Sequence, residues 1–440
     1  MQHIIRFAAA AAIAAGLVSA ETTVLKNFTL FDGTGKPPAA RSALIMTDGR
    51  ITWVGPVAQL KPPAGAQTID LAGKFVMPGI INLHGHLGNT KGLVQDPANF
   101  TRANLEDHLK TYARYGVTTV VTMGSEQDLI MTMRAEQRAG RPKMTRIYAA
   151  RRGFTGINGY PTSAPGMKGV PFEVATVEDV RKGVNYLADV KVDIVKIWVD
   201  DHLGKEKKIP LDLCKAIVEQ SHAKGLKVAA HIFYLDDAKK LVSYGLDGLA
   251  HSVRDKPVDK ELIDMMKKKG AWLSSATLER ESSTFFAAKA QPFYDDPFFQ
   301  RAVSPEVLKT LRDPAFQKKA QSEPDTGHGP QWLEMAKKNL KTMADAGVKI
   351  GFGTDTGPPR RFLGFGEHWE MEMMAEAGLT SSQILTMATG KSAEFLGARD
   401  LGTIAPGKWA DLLVLGKSPL ENIRNTRSIE SVWVAGNRVN

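Results

Sequence analysis

One cysteine, Cys214, serves the entire 440-residue chain, so no intrachain disulfide can form even in an oxidising compartment. It sits in the helix-like stretch Leu211 to Ile217 and reads as a small buried hydrophobe rather than a nucleophile. Low-complexity tracts, sustained heptads and fixed-period repeats are absent, which excludes disorder, coiled coil and solenoid architectures. After residue 20 no apolar run is long enough for a membrane span. The formal charge is +10, but its lysines are scattered (Lys205 to Lys208, Lys267 to Lys269, Lys318-Lys319). They lack aromatic interleaving or a nucleic-acid motif, so they read as solvated helix faces, with no nucleic-acid partner expected.

What is present begins with a leader. Met1 to Arg6 is a short basic start, Phe7 to Val18 an alanine-rich apolar run, and Val18-Ser19-Ala20 a small-residue cleavage site before Glu21. The pattern predicts a secretory signal peptide over residues 1–20 and an exported protein, most simply in a bacterial periplasm. From Glu21 to Phe75, short strands are broken by turns; Ala43 to Met46 and Ile51 to Val54 flank Asp48-Gly49, a hairpin signal. The chain end, from Ala410 to Val439, has the same style. Residues 21–76 and 397–440 are therefore expected to form one composite β domain, a small β-sandwich.

Residues 77–396 alternate strands with helices. Strands are predicted at 76–84, Val117–Met123, Thr145–Ala150, Asp193–Val199, Lys227–Phe233, Asp247–His251, Ala271–Ser275 and Val348–Gly353. Helical patterns such as Val177–Leu187, Leu211–Lys224 and Asp236–Tyr244 separate them. Eight strand–helix units predict an α/β fold, a (β/α)8 barrel, with catalytic groups at the carboxyl ends of strands. Residues 280–330 interrupt the pattern with an aromatic cluster followed by polar sequence, either a lid at the mouth or a packed helical excursion.

Candidate ligands fall at these strand ends. His84-Gly85-His86 closes the first strand, two imidazoles two residues apart. Alone the pair is weak evidence for a metal and reads more readily as two exposed loop histidines. Lys196 lies inside the apolar run Val192 to Val199, where a lone ammonium is costly. His231 ends the fifth strand, His251 the sixth and Asp355 the eighth. Singly, each histidine reads as structural and Asp355 as a cap; together they point to divalent metal binding.

These residues resemble the amidohydrolase superfamily. Val195-Lys196-Ile197-Trp198 and Gly353-Thr354-Asp355-Thr356-Gly357 are closest to its imidazolonepropionase-like branch, which includes metal-dependent Xaa-Pro dipeptidases. Leu401 to Leu415 resembles that superfamily's return to its β domain. The resemblance implies two divalent ions, usually zinc. His84 and His86 would hold one ion with Asp355, and His231 and His251 the other. A carboxylated Lys196 would bridge them. Water activated by the metals would attack an amide carbonyl, with Asp355 accepting its proton and returning it to the leaving amine. Deaminases of the superfamily carry a glutamate three residues after the fifth-strand histidine; here that position is Tyr234, and Lys196 is present. Both departures favour a two-metal amidase of dipeptides or N-acyl amino acids over a mononuclear hydrolase or deaminase of cyclic amides. A non-catalytic scaffold is the remaining rival. Tyr234 is expected to hydrogen-bond the substrate carbonyl, and Arg152 or Tyr160 the substrate carboxylate; Arg151, Arg360, Arg361 and His368 are weaker candidates. The sequence leaves the oligomeric state open, a homo-oligomer included.

Overall fold

The computed structural model describes residues 21–440, so the predicted signal peptide lies outside the described residues. Eight parallel strands occupy the eight predicted places: β1 (Ile80–Gly85), β2 (Val117–Thr122), β3 (Arg146–Ala149), β4 (Val195–Trp198), β5 (Val228–His231), β6 (Gly248–Leu249), β7 (Trp272–Leu273) and β8 (Lys349–Ile350). Strands β1 to β3 pair in sequence, as do β4 to β8. Main-chain hydrogen bonds join the two sets. Asp193 donates to the Ala149 carbonyl just before β4, while Leu83 donates to Phe352 and Asp355 to the His84 carbonyl, closing β8 onto β1. The chain is therefore a (β/α)8 barrel.

Alternation along the strands sorts side chains between two cores. Val195, Ile197, Val228 and Ala230 pack outward against the helices, in one cluster with residues such as Cys214 and Ile217. Ile194 and Ala229 belong to the interior cluster with Ile81, Leu83 and Val121. Two residues further along those same interior faces come Lys196 and His231. The strand pattern alone thus delivers both to the barrel mouth.

The expected hairpin is present, with Ala39–Thr47 antiparallel to Arg50–Pro56. Its turn has φ of +49° at Asp48 and +81° at Gly49, the double positive φ that a two-residue hairpin turn requires. Both chain ends contribute to one eight-stranded mixed sheet, in which Phe75–Pro78 joins the N-terminal strands to Leu412–Leu415. Alternation works here too: Leu412 and Val414 enter the sheet's own core, whereas Leu413 and Leu415 pack on the barrel cluster.

The 280–330 segment folds into short helices, including Pro305–Arg312 and Pro314–Gln321. Phe286, Tyr294, Phe298 and Phe299 form a buried cluster with Tyr115, Phe362 and Phe365. Its aromatics are a packed core. Among the described residues, no helix is long and apolar enough to cross a membrane.

Candidate metal centre

Five of the six expected ligands sit at strand ends in β1 and β4 to β6 or just beyond, and Asp355 follows β8 by five residues. All six line one cavity of about 140 Å³. His84 Nε2 and His86 Nε2 lie 3.4 and 2.9 Å from the same atom, Asp355 Oδ1. The ligand atoms of His84, His251 and Asp355 lie within 4.8 Å of one another. The His231 and His251 rings are 4.3 Å apart, and His84 and His251 4.9 Å.

A common device aims three of the imidazoles. His84 Nδ1 is 3.1 Å from Ser275 Oγ, His86 Nδ1 2.7 Å from Ser125 Oγ, and His251 Nδ1 2.7 Å from Thr277 Oγ1. Each hydroxyl anchors one ring nitrogen and leaves Nε2 facing the centre, the arrangement metal-binding histidines need. His231 is held the other way round. Its Nε2 is 2.7 Å from Asp200 Oδ2, so only Nδ1 is left for another partner. Buried Asn82 sets the β1–β8 seam: its side-chain oxygen accepts from the His84 N–H, and its amide donates to Thr354 and Glu367.

Electrostatics favour deprotonated ligands. Burial, reinforced by Lys196, pushes His84 well below the usual histidine range, and burial takes His231 down to about 3. Burial and the neighbouring His231 likewise push His251 far down. His86 moves the other way, because hydrogen bonds to Asp355 and Glu126 outweigh its burial. For Asp355, burial works upward, but Arg361, His84 and His86 together hold the carboxyl well below the usual range. Its other oxygen accepts from Arg361 Nη1 at 2.7 Å and lies 3.2 Å from Arg280 Nε.

Lys196 is fully buried, and its Nζ is 3.4 Å from His84 Nε2. Burial lowers it to about 7. The site fits metal on its own terms. It is a set of buried nitrogen and carboxylate donors at one point, and His251 Nε2 is buried with no hydrogen-bond partner.

The substrate-contact expectations fare unevenly. Tyr160 lines the cavity, its ring 5.0 Å from that of His231. Tyr234 does not; its hydroxyl donates to Asp201 at 2.8 Å. Arg152 also lies off the cavity, because its guanidinium donates to the carbonyls of Gly169, Val170 and Pro171 and stacks on Phe172. That arginine holds a loop. Arg151 pairs with Asp128, and His368 is buried between Thr426 and the Tyr115 carbonyl. Arg361 reaches the site, whereas Arg360 pairs with Glu323 at 2.7 Å.

Sequence reasoning missed Arg280 and the anchors Ser125, Ser275, Thr277 and Asp200. Their signal was position, since Asp200 follows β4 by two residues and Ser275 follows β7 by two.

The donor set at the strand ends is matched by a wider comparison: a model of the amidohydrolase family matches residues 75–439. The chain belongs to the amidohydrolase family. It is a hydrolase acting on carbon–nitrogen bonds, and the family is generally metal-dependent. Over 394 residues the chain is 24% identical to an uncharacterized protein of Mycobacterium tuberculosis, covering 88% of this chain and 89% of that one. A 111-residue stretch, 24% of this chain and 25% of its relative, is 32% identical to imidazolonepropionase of Acidiphilium cryptum. Among solved structures it resembles a Xaa-Pro dipeptidase with methionine bound in the active site. That match has 22% identity and a TM-score of 0.75, covering 95% of this chain and 99% of the other. The likeness is one of fold.

Proposed function

We propose that this amidohydrolase is an exported enzyme that uses two divalent metal ions, zinc first among them, to cleave the amide bond of dipeptides or N-acyl amino acids. The observation that carries this reading is Lys196: a buried amine beside His84, held near neutrality by its surroundings. Its free amine can attack carbon dioxide, forming an N–C bond and losing one proton to give an anionic carbamate. That turns a costly buried cation into an oxygen ligand able to bridge two ions.

His84, His86 and Asp355 would hold one ion, and His231 through Nδ1 with His251 through Nε2 the other. When bound, the pair lowers the proton affinity of water and polarises the substrate carbonyl. Asp355, kept ionised by Arg361, accepts the water proton and passes it to the leaving nitrogen. Tyr160 has no hydrogen-bond partner for its hydroxyl among the described residues and lines the cavity, so it is the donor for the substrate's carbonyl oxygen. Arg361 on the cavity wall suits a substrate carboxylate. The similar Xaa-Pro dipeptidase structure, with methionine in its active site, agrees with an amino-acid-sized ligand.

A one-metal reading draws on the compact His84, His251 and Asp355 group. Metal content separates the two: two ions per chain support the proposal and one overturns the bridged site. The reaction is tested with zinc-loaded protein against a library of dipeptides and N-acyl amino acids, reading released amine, with Asp355→Asn as control. Release that disappears in the variant is expected; a blank library on two-metal protein would move the substrate to other amides. Export is tested by N-terminal sequencing, which should begin at Glu21 in the secreted or periplasmic fraction.

A further inference from the structure

A second and larger cavity, about 790 Å³, adjoins the metal centre. Thr90, Gly357, Pro358 and Arg361 line both cavities, so the two share a wall. One wall is apolar: Val307, Phe362 and Leu363 are buried, and Val303 and Phe316 are half-buried, facing a side that carries the buried polar residues Thr90, His108 and Thr111. Lys91, Asp107 and Glu306 are exposed at its rim, while the half-buried Arg360 and Arg361 put positive charge at the end next to Asp355. The wall is built by helix Pro305–Arg312, the Thr90–Gln95 hairpin and the segment after Asp355. These elements meet closely: a side chain at Gly92 would lie 3.3 Å from Val307.

The geometry points to one half of the substrate. Three of the four shared residues lie within six positions of Asp355 in sequence. Asp355 is the group that hands a proton to the leaving nitrogen in the reading above, on which this inference rests. The wall shared with the large cavity therefore lies on the amine side. We infer that the leaving amine carries an extended apolar group that fills the second cavity, while the acyl half stays small within the 140 Å³ of the first. The favoured substrate class is a short-acyl amide of an amino acid with a long apolar side chain. Burying each further methylene in such a wall strengthens binding, and Arg361 at the junction meets the amino acid's carboxylate.

The test compares zinc-loaded enzyme on N-acetylglycine, N-acetyl-2-aminodecanoate and N-decanoylglycine. kcat/KM should rise at least tenfold when the amine half is lengthened and should not rise when the acyl half is. Val303→Trp, which fills the second cavity, should erase the gain and leave N-acetylglycine unchanged; Thr310→Trp, on the opposite turn of the wall, is the second variant should the first fail to fold. A flat series, or a gain confined to the decanoyl substrate, overturns the inference. Calorimetric binding of free 2-aminodecanoate against glycine gives a readout without turnover. Tighter binding of the long amino acid by tenfold, lost in Val303→Trp, supports the cavity assignment even if no amide is cleaved, in which case the amide reading alone falls. Equal binding of the two overturns the cavity assignment.

Discussion

Lys196 Nζ lies 3.4 Å from His84 Nε2, and no carboxylate among the described residues comes within 4.0 Å of it. An ordinary buried lysine finds an acid; this one faces an imidazole and the ring of Trp198 at 5.8 Å. Gly153 makes the close packing around it possible, since a side chain there would lie 2.3 Å from Trp198 and 3.0 Å from Lys196. The surroundings disfavour the charged amine and leave it reactive.

The first prediction follows from that charge state. Only the neutral amine attacks carbon dioxide, and with Lys196 at about 7 roughly half is neutral at pH 7. Below that value the neutral fraction falls about tenfold per pH unit. The rate of reconstituting metal-free protein with zinc and bicarbonate should fall accordingly between pH 7 and 5, read by bound zinc. Lys196→Ala should lose metal and activity together, and a fully metallated, active variant would sink the bridge.

The second concerns Tyr160 and the two residues that sequence placed beside it. Tyr160→Phe removes a hydroxyl that lines the cavity, and kcat should drop by about 10- to 100-fold with metal content unchanged. Tyr234→Phe breaks only the bond to Asp201, so kcat/KM should stay within about threefold of wild type. Arg152→Ala should act through the Gly169–Pro171 loop and appear as a lower Tm. A larger kinetic loss in Tyr234→Phe than in Tyr160→Phe would reverse this assignment.

The barrel was legible because strands such as β1, β4 and β5 are buried on both sides. These read as largely apolar runs, and a polar residue ending such a run stands out, as His231 does after Val228-Ala229-Ala230. The residues that converge on the cavity could be picked out for the same reason. The hydroxyl anchors were not, because a serine two residues past a strand, such as Ser275, looks like any turn serine until His84 is placed 3.1 Å away. Arg280 sits on the helix Leu278–Ser283, and only tertiary packing brings it to Asp355. Tyr234 and Arg152 occupy plausible positions along the chain, but nearer partners take their polar atoms.

A third prediction uses Glu370, whose two oxygens accept the N–H groups of Leu278 and Glu279 and so fasten the helix that carries Arg280. Burial pushes its carboxyl up to about 8. Between the unfolded value near 4.5 and about 8, the folded protein holds a proton that the unfolded chain releases. Its contribution to stability is thus complete below about 4.5 and is lost as pH rises through 8. Glu370→Gln lacks this titration and leaves one N–H poorly accepted, costing about 1–3 kcal/mol. The Tm deficit of the variant should be largest near pH 5 and shrink toward pH 8; a deficit that grows with pH would contradict the assignment.

The last prediction separates backbone strain from collision at the metal site. Gly357 has φ of +118°, and a Cβ there would lie 1.9 Å from the His86 carbonyl oxygen. His86 is bound to this segment through its own N–H, which donates to the Thr356 carbonyl at 2.8 Å. Gly357→Ala must therefore push His86 and Asp355 apart, and stability should fall by about 2 kcal/mol or more. Gly73 supplies the control: its φ is +76° with no atom within 4 Å, so Gly73→Ala carries the strain without the collision. That variant should lose about 1 kcal/mol and bind zinc like wild type. Zinc affinity of Gly357→Ala, measured by competition with a chromogenic chelator, should drop at least tenfold. If both variants keep wild-type affinity, the close approach of residue 357 to His86 does not position the ligand, and the His86 N–H bond to the Thr356 carbonyl suffices.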